Sequence, residues 1–237
     1  MTRTAVIAGV GSGLGESLAR KFAAEGCSVG LFARSEEYLT DLEADLREEN
    51  ADALAVPTDV TDREGVAAAF EQLREEFGPI DVLVNHAGNY LSGGLLDIDP
   101  EGFEGMWRVA AYGGFLCSQA AVPDMLNDDE GGTVIFTGAT SALRGPAKGL
   151  AFGSAKFAVR GMAESMARDL GPEGIHVAHV IIDGQILTPS AREGQPDRNA
   201  ETFLDPDAIA ESYWHLVEQD RSSWTLELDL RPHVEEF

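Results

Sequence analysis

The chain has 237 residues, long enough for one large α/β domain with a sizeable buried core. Its 41 acidic residues against 17 basic ones give a formal net charge of −24, a field that repels nucleic acid and anionic membrane surfaces and excludes both as expected partners. Only three basic residues are lysines, Lys21, Lys148 and Lys156; acid excess with scarce lysine predicts a salt-rich cytoplasm, where a Debye length of about 3 Å at 1 M salt removes the self-repulsion.

Residues 1–8 run straight into an apolar segment with no basic n-region and no long apolar stretch, which predicts neither a signal peptide nor a membrane span and an intracellular, cytoplasmic location. From there strand-like and helix-like segments alternate. Thr4–Ala8 is a short apolar run, Leu14–Glu25 has helical periodicity, Val29–Ala33 is strand-like and Glu36–Glu49 helical. Ala53–Val56, Arg63–Phe77 and the apolar Ile80–Val84 repeat the pattern, and Pro100–Met125 predicts one long helix. Val134–Thr137, a helix over Ala151–Leu170 stopped at Gly171-Pro172, and Val177–Ile182 follow. A helix over Pro206–Glu218 and a last strand near Trp224–Leu228 close the chain. Unbroken Val/Ile/Leu runs between amphipathic helices predict a Rossmann-like, doubly wound parallel sheet of about seven strands with helices on both faces. Residues 1–237 read as a single domain without repeats or linkers, and Gln185–Thr202, rich in Gly, Pro and polar residues, as a mobile substrate loop over the cleft. Cys27 and Cys117 lie in apolar contexts without metal or disulfide spacing and read as small buried hydrophobes; no metal site is expected.

Between the first strand and first helix stands Gly9-Val10-Gly11-Ser12-Gly13-Leu14-Gly15. Glycines there let the chain turn sharply and let a pyrophosphate approach amides at a helix N-terminus. With this loop the chain resembles the short-chain dehydrogenase/reductase family, in its single-domain branch. Gly9, Gly13 and Gly15 match the family's Gly-x-x-x-Gly-x-Gly, with Ala8 in place of a frequent Thr. Asn85-His86-Ala87-Gly88 is similar to its Asn-Asn-Ala-Gly, Thr58-Asp59-Val60 to its adenine-contacting segment, and Asp183-Gly184-Gln185-Ile186-Leu187-Thr188 to its Pro-Gly-x-x-x-Thr, with Asp183 for Pro. The resemblance implies cofactor contacts from Gly9, Gly13, Leu14, Gly15, Asp59, Val60, Asn85, Ala87, Gly88, Lys156 and Thr188. It also implies a homo-oligomer, dimer or tetramer. At the end of the second strand, Ala33-Arg34-Ser35 has no acidic residue to take a ribose 2′-hydroxyl. Arg34 and Ser35 can instead hold a 2′-phosphate, so NADP(H) is preferred, with NAD(H) the alternative.

Carbonyl-reducing members of that family use a Tyr, a Lys four places on, a Ser thirteen places before the Tyr, and an Asn in the preceding long helix. Carried over, the Lys is Lys156; the other three positions hold Phe152, Ala139 and Ala110. Phe is the nearest isostere of Tyr without the hydroxyl. A positioned acid is worth about 10²–10⁴-fold, so ordinary tetrad chemistry cannot run on these side chains. Among substitutes, Tyr90 and Ser141 stand first; Thr140, Tyr112 and His86 read more simply as a loop hydrogen-bonder, a packing residue and a strand-end residue. The sequence therefore supports a weak or atypical NADP(H)-dependent oxidoreductase on an unknown carbonyl or alcohol. The competing reading is a non-catalytic dinucleotide-binding sensor or interaction protein on the same fold. A lyase of the dehalogenase sort is disfavoured, because such relatives lose the glycine loop and keep the Tyr.

Overall fold

A computed structural model describes residues 2–235. Seven parallel strands form one sheet: β1 (Thr4–Ala8), β2 (Ser28–Ala33), β3 (Ala53–Pro57), β4 (Val82–Asn85), β5 (Gly132–Thr137), β6 (Ile175–Ile182) and a late edge strand over Glu227–Leu230. Helices α1 (Leu14–Ala24), α2 (Glu36–Glu48), α3 (Arg63–Phe77), α4 (Pro100–Trp107), α5 (Gly113–Leu126) and α6 (Leu150–Leu170) connect them. After β6 come β7 (Gln185–Ile186), α7 (Pro189–Gly194), β8 (Phe203–Leu204) and α8 (Pro206–Val217), and the edge strand is β9. The strand order β3-β2-β1-β4-β5-β6-β9 is doubly wound, with the reversal between β1 and β4.

The sheet is covered on both sides, and its strands show why they read as unbroken apolar runs. Ala5, Ile7, Leu31 and Val84 pack with Leu18, Phe22, Leu39 and Tyr213 under α1, α2 and α8. Their neighbours Val6, Ala8, Phe32 and Leu83 pack with Phe70, Leu73, Met125 and Phe136 under α3 and α5. A period of two with both faces apolar leaves no alternation to detect. Helix starts follow local chemistry: Asp62 accepts from Glu64 N at 3.1 Å, and the Asp-Pro pairs Asp99-Pro100 and Asp205-Pro206 cap α4 and α8. Cys27 and Cys117 are free and buried, and burial raises their thiols to about 11 and about 12, which makes them inert.

Three expectations are corrected here. The single helix over Pro100–Met125 is two α-helices joined by a π turn at Arg108–Tyr112. At its end Gly113 packs against Val60, where an added Cβ would stand 2.7 Å from Val60 Cγ2; periodicity cannot register the extra residue in this turn. The last strand lies at Glu227–Leu230 rather than Trp224–Leu228, since pairing to His179–Ile182 sets its register. The stretch Gln185–Thr202 is no continuous loop. It holds β7, α7 and a 3₁₀ turn, gathered by Arg198, whose guanidinium reaches Gln185 Oε1 at 2.6 Å and Thr202 Oγ1 at 2.8 Å and lies 4.6 Å over the Phe203 ring.

Candidate dinucleotide cleft and catalytic corner

A cleft of about 810 Å³ opens at the carboxyl ends of β1, β2 and β4. The chain leaves β1 through Gly9, whose φ of +114° suits glycine, and Gly9 N and Val10 N both donate to Phe32 O at 2.9 Å. At Gly15 a Cβ would stand 2.5 Å from Gly9 O, so the helix start can sit against the turn only without a side chain. Gly13 caps α1 with no side-chain hydrogen bond, leaving its first amides and the positive end of the helix open to the cleft. The cradle a side chain would fill and the uncapped helix end fit a pyrophosphate.

The far end of the cleft is cationic. Arg34, just after β2, makes no hydrogen bond or ion pair among the described residues. Ser35 occupies the cap position of α2 without using its hydroxyl there. Asp59 accepts from Thr61 N at 2.9 Å and Thr61 Oγ1 at 2.8 Å; those bonds, with Arg34 and Arg108 nearby, hold its carboxyl below the ordinary value. Arg108 enters the cleft wall from the π turn. Opposite, Ile186 and Thr188 line the cleft; Thr188 caps α7 by accepting from Ala191 N at 3.1 Å and rests on Gly13.

At the catalytic corner Lys156 is 6% exposed and donates from Nζ to Thr137 O at 2.8 Å. Burial pushes its amine down to about 8. Its ammonium lies 5.7 Å from the Phe152 ring centroid, where a family member would carry a phenol. Tyr90 is exposed and packs on Phe152. Ala110 is buried within the π turn, and Ala139 leads into the 3₁₀ turn Thr140–Ala142. The Thr140 hydroxyl is spent on a hydrogen bond to Asp183, itself paired to Arg231 at 3.3 Å. Ser141 is buried. Tyr112 stacks between Trp107 and Phe115, with centroids 6.2 and 6.3 Å away, on an outer helix face.

A profile of the short chain dehydrogenase family matches residues 3–199. The chain belongs to that family. It is 32% identical to an uncharacterised oxidoreductase of Staphylococcus saprophyticus over 97% of both chains. It superposes on a short-chain dehydrogenase of Rhodopseudomonas palustris with a TM-score of 0.84 at 32% identity, covering 98% of this chain and 99% of that one. An alcohol dehydrogenase of the archaeon Thermococcus sibiricus, solved with 5-hydroxy-NADP, matches with a TM-score of 0.89 at 25% identity over 100% and 99%.

For a short-chain dehydrogenase the placement of residues divides cleanly. Gly9, Gly13, Leu14, Gly15, Arg34, Ser35, Asp59, Val60, Ala87, Gly88 and Thr188 all line the one cleft. Asn85 does not: its amide donates to Ser118 Oγ at 3.1 Å inside the protein, and its Oδ1 has no partner among the described residues. Lys156 lies behind the cleft lining, with Nζ 4.0 Å from where a Cβ on Gly88 would stand. Thr58, part of the segment that carries Asp59, lines the cleft as well; Thr61, Asn89 and Arg108 also line it and lie outside the residues expected from the sequence. Arg108 carried no signal, because its direction depends on the π turn. Thr61 follows the Thr58-Asp59-Val60 segment directly and could have been inferred from it.

Proposed function

We propose that the chain is an NADP(H)-dependent oxidoreductase of weak or atypical activity, acting on an unidentified carbonyl or alcohol. The observation that carries this reading is the Arg34 guanidinium, without a hydrogen bond or ion pair among the described residues, beside Ser35, whose hydroxyl makes no cap bond to α2, in the same cleft as an uncapped helix N-terminus. Arg34 and Ser35 would take a 2′-phosphate, the amides at the start of α1 the pyrophosphate, and Lys156 the ribose next to the nicotinamide. A nicotinamide dinucleotide, when bound, supplies or accepts a hydride. The protein must then stabilise the substrate oxygen and move its proton, and at the three positions where a hydroxyl or amide would do so stand Phe152, Ala139 and Ala110. Support for the cofactor class comes from the Thermococcus sibiricus relative solved with 5-hydroxy-NADP. Fluorescence titration tests the reading: NADPH should bind more tightly than NADH, and absence of binding by either would overturn it.

That same emptied corner favours a second reading, a non-catalytic dinucleotide-binding sensor. It is distinguished by NADPH binding without turnover on any of a broad panel of ketones and sugars.

Three further assignments belong to this reading. A second copy of the chain covers the exposed Phe103, Trp107, Phe115 and Phe157 on α4, α5 and α6, and light scattering should show a dimer or tetramer. The segment 185–202 opens and closes over the cleft, so its amides should exchange more slowly once NADPH is bound. The protein works in a salt-rich cytoplasm; among the described residues no helix is long and apolar enough to cross a membrane.

A further inference from the structure

The hydrogen bonds behind His86 fix which of its nitrogens carries the proton. Tyr213 on α8 is fully buried, and its hydroxyl has one partner among the described residues, Thr137 Oγ1 at 2.8 Å. Thr137 Oγ1 has one other side-chain neighbour, His86 Nδ1 at 3.2 Å. A buried phenol proton without an acceptor is costly, so Tyr213 donates to Thr137. The Thr137 proton then goes to His86 Nδ1, and a neutral imidazole that accepts at Nδ1 carries its hydrogen on Nε2. Were His86 Nδ1 the donor instead, Thr137 Oγ1 would accept from both neighbours and its own buried hydroxyl proton would be left without an acceptor among the described residues.

The ring is also held uncharged: burial, and next the Lys156 ammonium, push His86 down to about 4. Its Nε2 has no partner among the described residues. Unlike the sealed, unpaired Asn85 Oδ1 and His179 Nε2, it belongs to a half-buried ring that borders the cleft. Thr137 thus sets two groups at once, Lys156 through its carbonyl and His86 through its hydroxyl.

We propose that His86 is a fixed neutral donor whose Nε2–H binds an oxygen of the dinucleotide in this cleft. The ligand rests on the cofactor reading above; the tautomer does not. Its stiffness comes from a hydroxyl chain rooted in the core, which makes the N–H a preorganised donor rather than a titrating group.

The test is nitrogen NMR on protein carrying labelled histidine, with His86→Asn identifying the resonance among the five histidines, run beside NADPH fluorescence titration. The Nε2–H tautomer should prevail at pH 7, Thr137→Val should mix the tautomers, and NADPH should move the Nε2 signal. His86→Phe should weaken NADPH binding about 3- to 10-fold, the range of one neutral hydrogen bond, while His86→Asn, which keeps an N–H donor, should retain most of it. A proton on Nδ1, or a charged ring at pH 6, would overturn the proposal in the unaltered protein even if the Phe variant failed to fold. NADPH binding that leaves the Nε2 signal unmoved would overturn the role of His86 alone. Failure of NADPH to bind at all, seen in the fluorescence, would overturn the dinucleotide reading and with it the ligand assigned to His86.

Discussion

Tyr90 and Phe152 pack edge to face, with ring centroids 5.2 Å apart and planes at 68°. Among the described residues the phenol against the Phe152 ring therefore comes from the loop after β4, and that loop is tied to the start of α6 by Gly93 N donating to Lys148 O at 2.8 Å. Any slow carbonyl reduction by the native chain should depend on this hydroxyl. Tyr90→Phe keeps the ring contact and removes the oxygen, so residual turnover should fall about 10²-fold or more, the usual loss of a general acid, with an unchanged melting temperature. Equal turnover in the two proteins would remove Tyr90 from the account.

Arg34 sets the cofactor preference. A charge-assisted contact to a 2′-phosphate is worth about 1.5–3 kcal/mol, or roughly tenfold or more in affinity. Arg34→Ala should therefore lose that factor for NADPH and leave NADH binding untouched. Equal losses for both cofactors would place Arg34 on some other part of the dinucleotide.

Lys156 makes stability depend on pH with a definite sign. Burial lowers its amine from 10.5 to about 8. Between those values the unfolded chain holds a proton that the folded chain has released, so stability rises with pH across that window. At 1.36 kcal/mol per unit the gain is about 3 kcal/mol at most. In urea unfolding, Lys156→Met should compare most favourably with the native protein at pH 7 and lose that advantage by pH 10.5, while the other titrating groups cancel in the comparison. A difference that stays constant with pH would mean that the amine is not desolvated.

Salt should stabilise the fold. Exposed pairs such as Arg20 with Asp45 and Glu49 contribute about 0–1 kcal/mol each and weaken under screening. Relief of repulsion across a net charge of −24 acts in the opposite sense and outweighs them. The melting temperature should climb steadily from about 0.1 M to about 2 M KCl, a range over which the Debye length falls from about 10 Å to below 3 Å; a flat or falling curve would contradict a salt-adapted surface.

The order of elements was legible because each strand of the sheet's interior is buried on both faces, and helices such as α1, α2 and α3 each bury one apolar stripe. β9 was placed wrongly because it is an edge strand: Glu227 and Asp229 are exposed, and only pairing to β6 sets its register. The glycine loop could be read because the phosphate cradle is built from backbone. Asn85 could not, since its position in a motif says nothing about which way the amide points, and here it points at Ser118. Arg108 and Thr137 were invisible for a related reason. The first stands at the start of a π turn that periodicity does not register, and the second acts through contacts to residues remote in sequence.

The central claim is that the cofactor cleft is complete while the proton-handling side chains are missing. Its most direct test is NADPH oxidation by the native chain and by a variant carrying Phe152→Tyr, Ala139→Ser and Ala110→Asn, measured on one panel of ketones and sugars after NADPH binding has been verified for both. The account predicts little or no turnover by the native chain and a rise of about 10²-fold or more on at least one substrate in the variant. Brisk turnover by the native chain, or an inert variant that still binds NADPH, would contradict it.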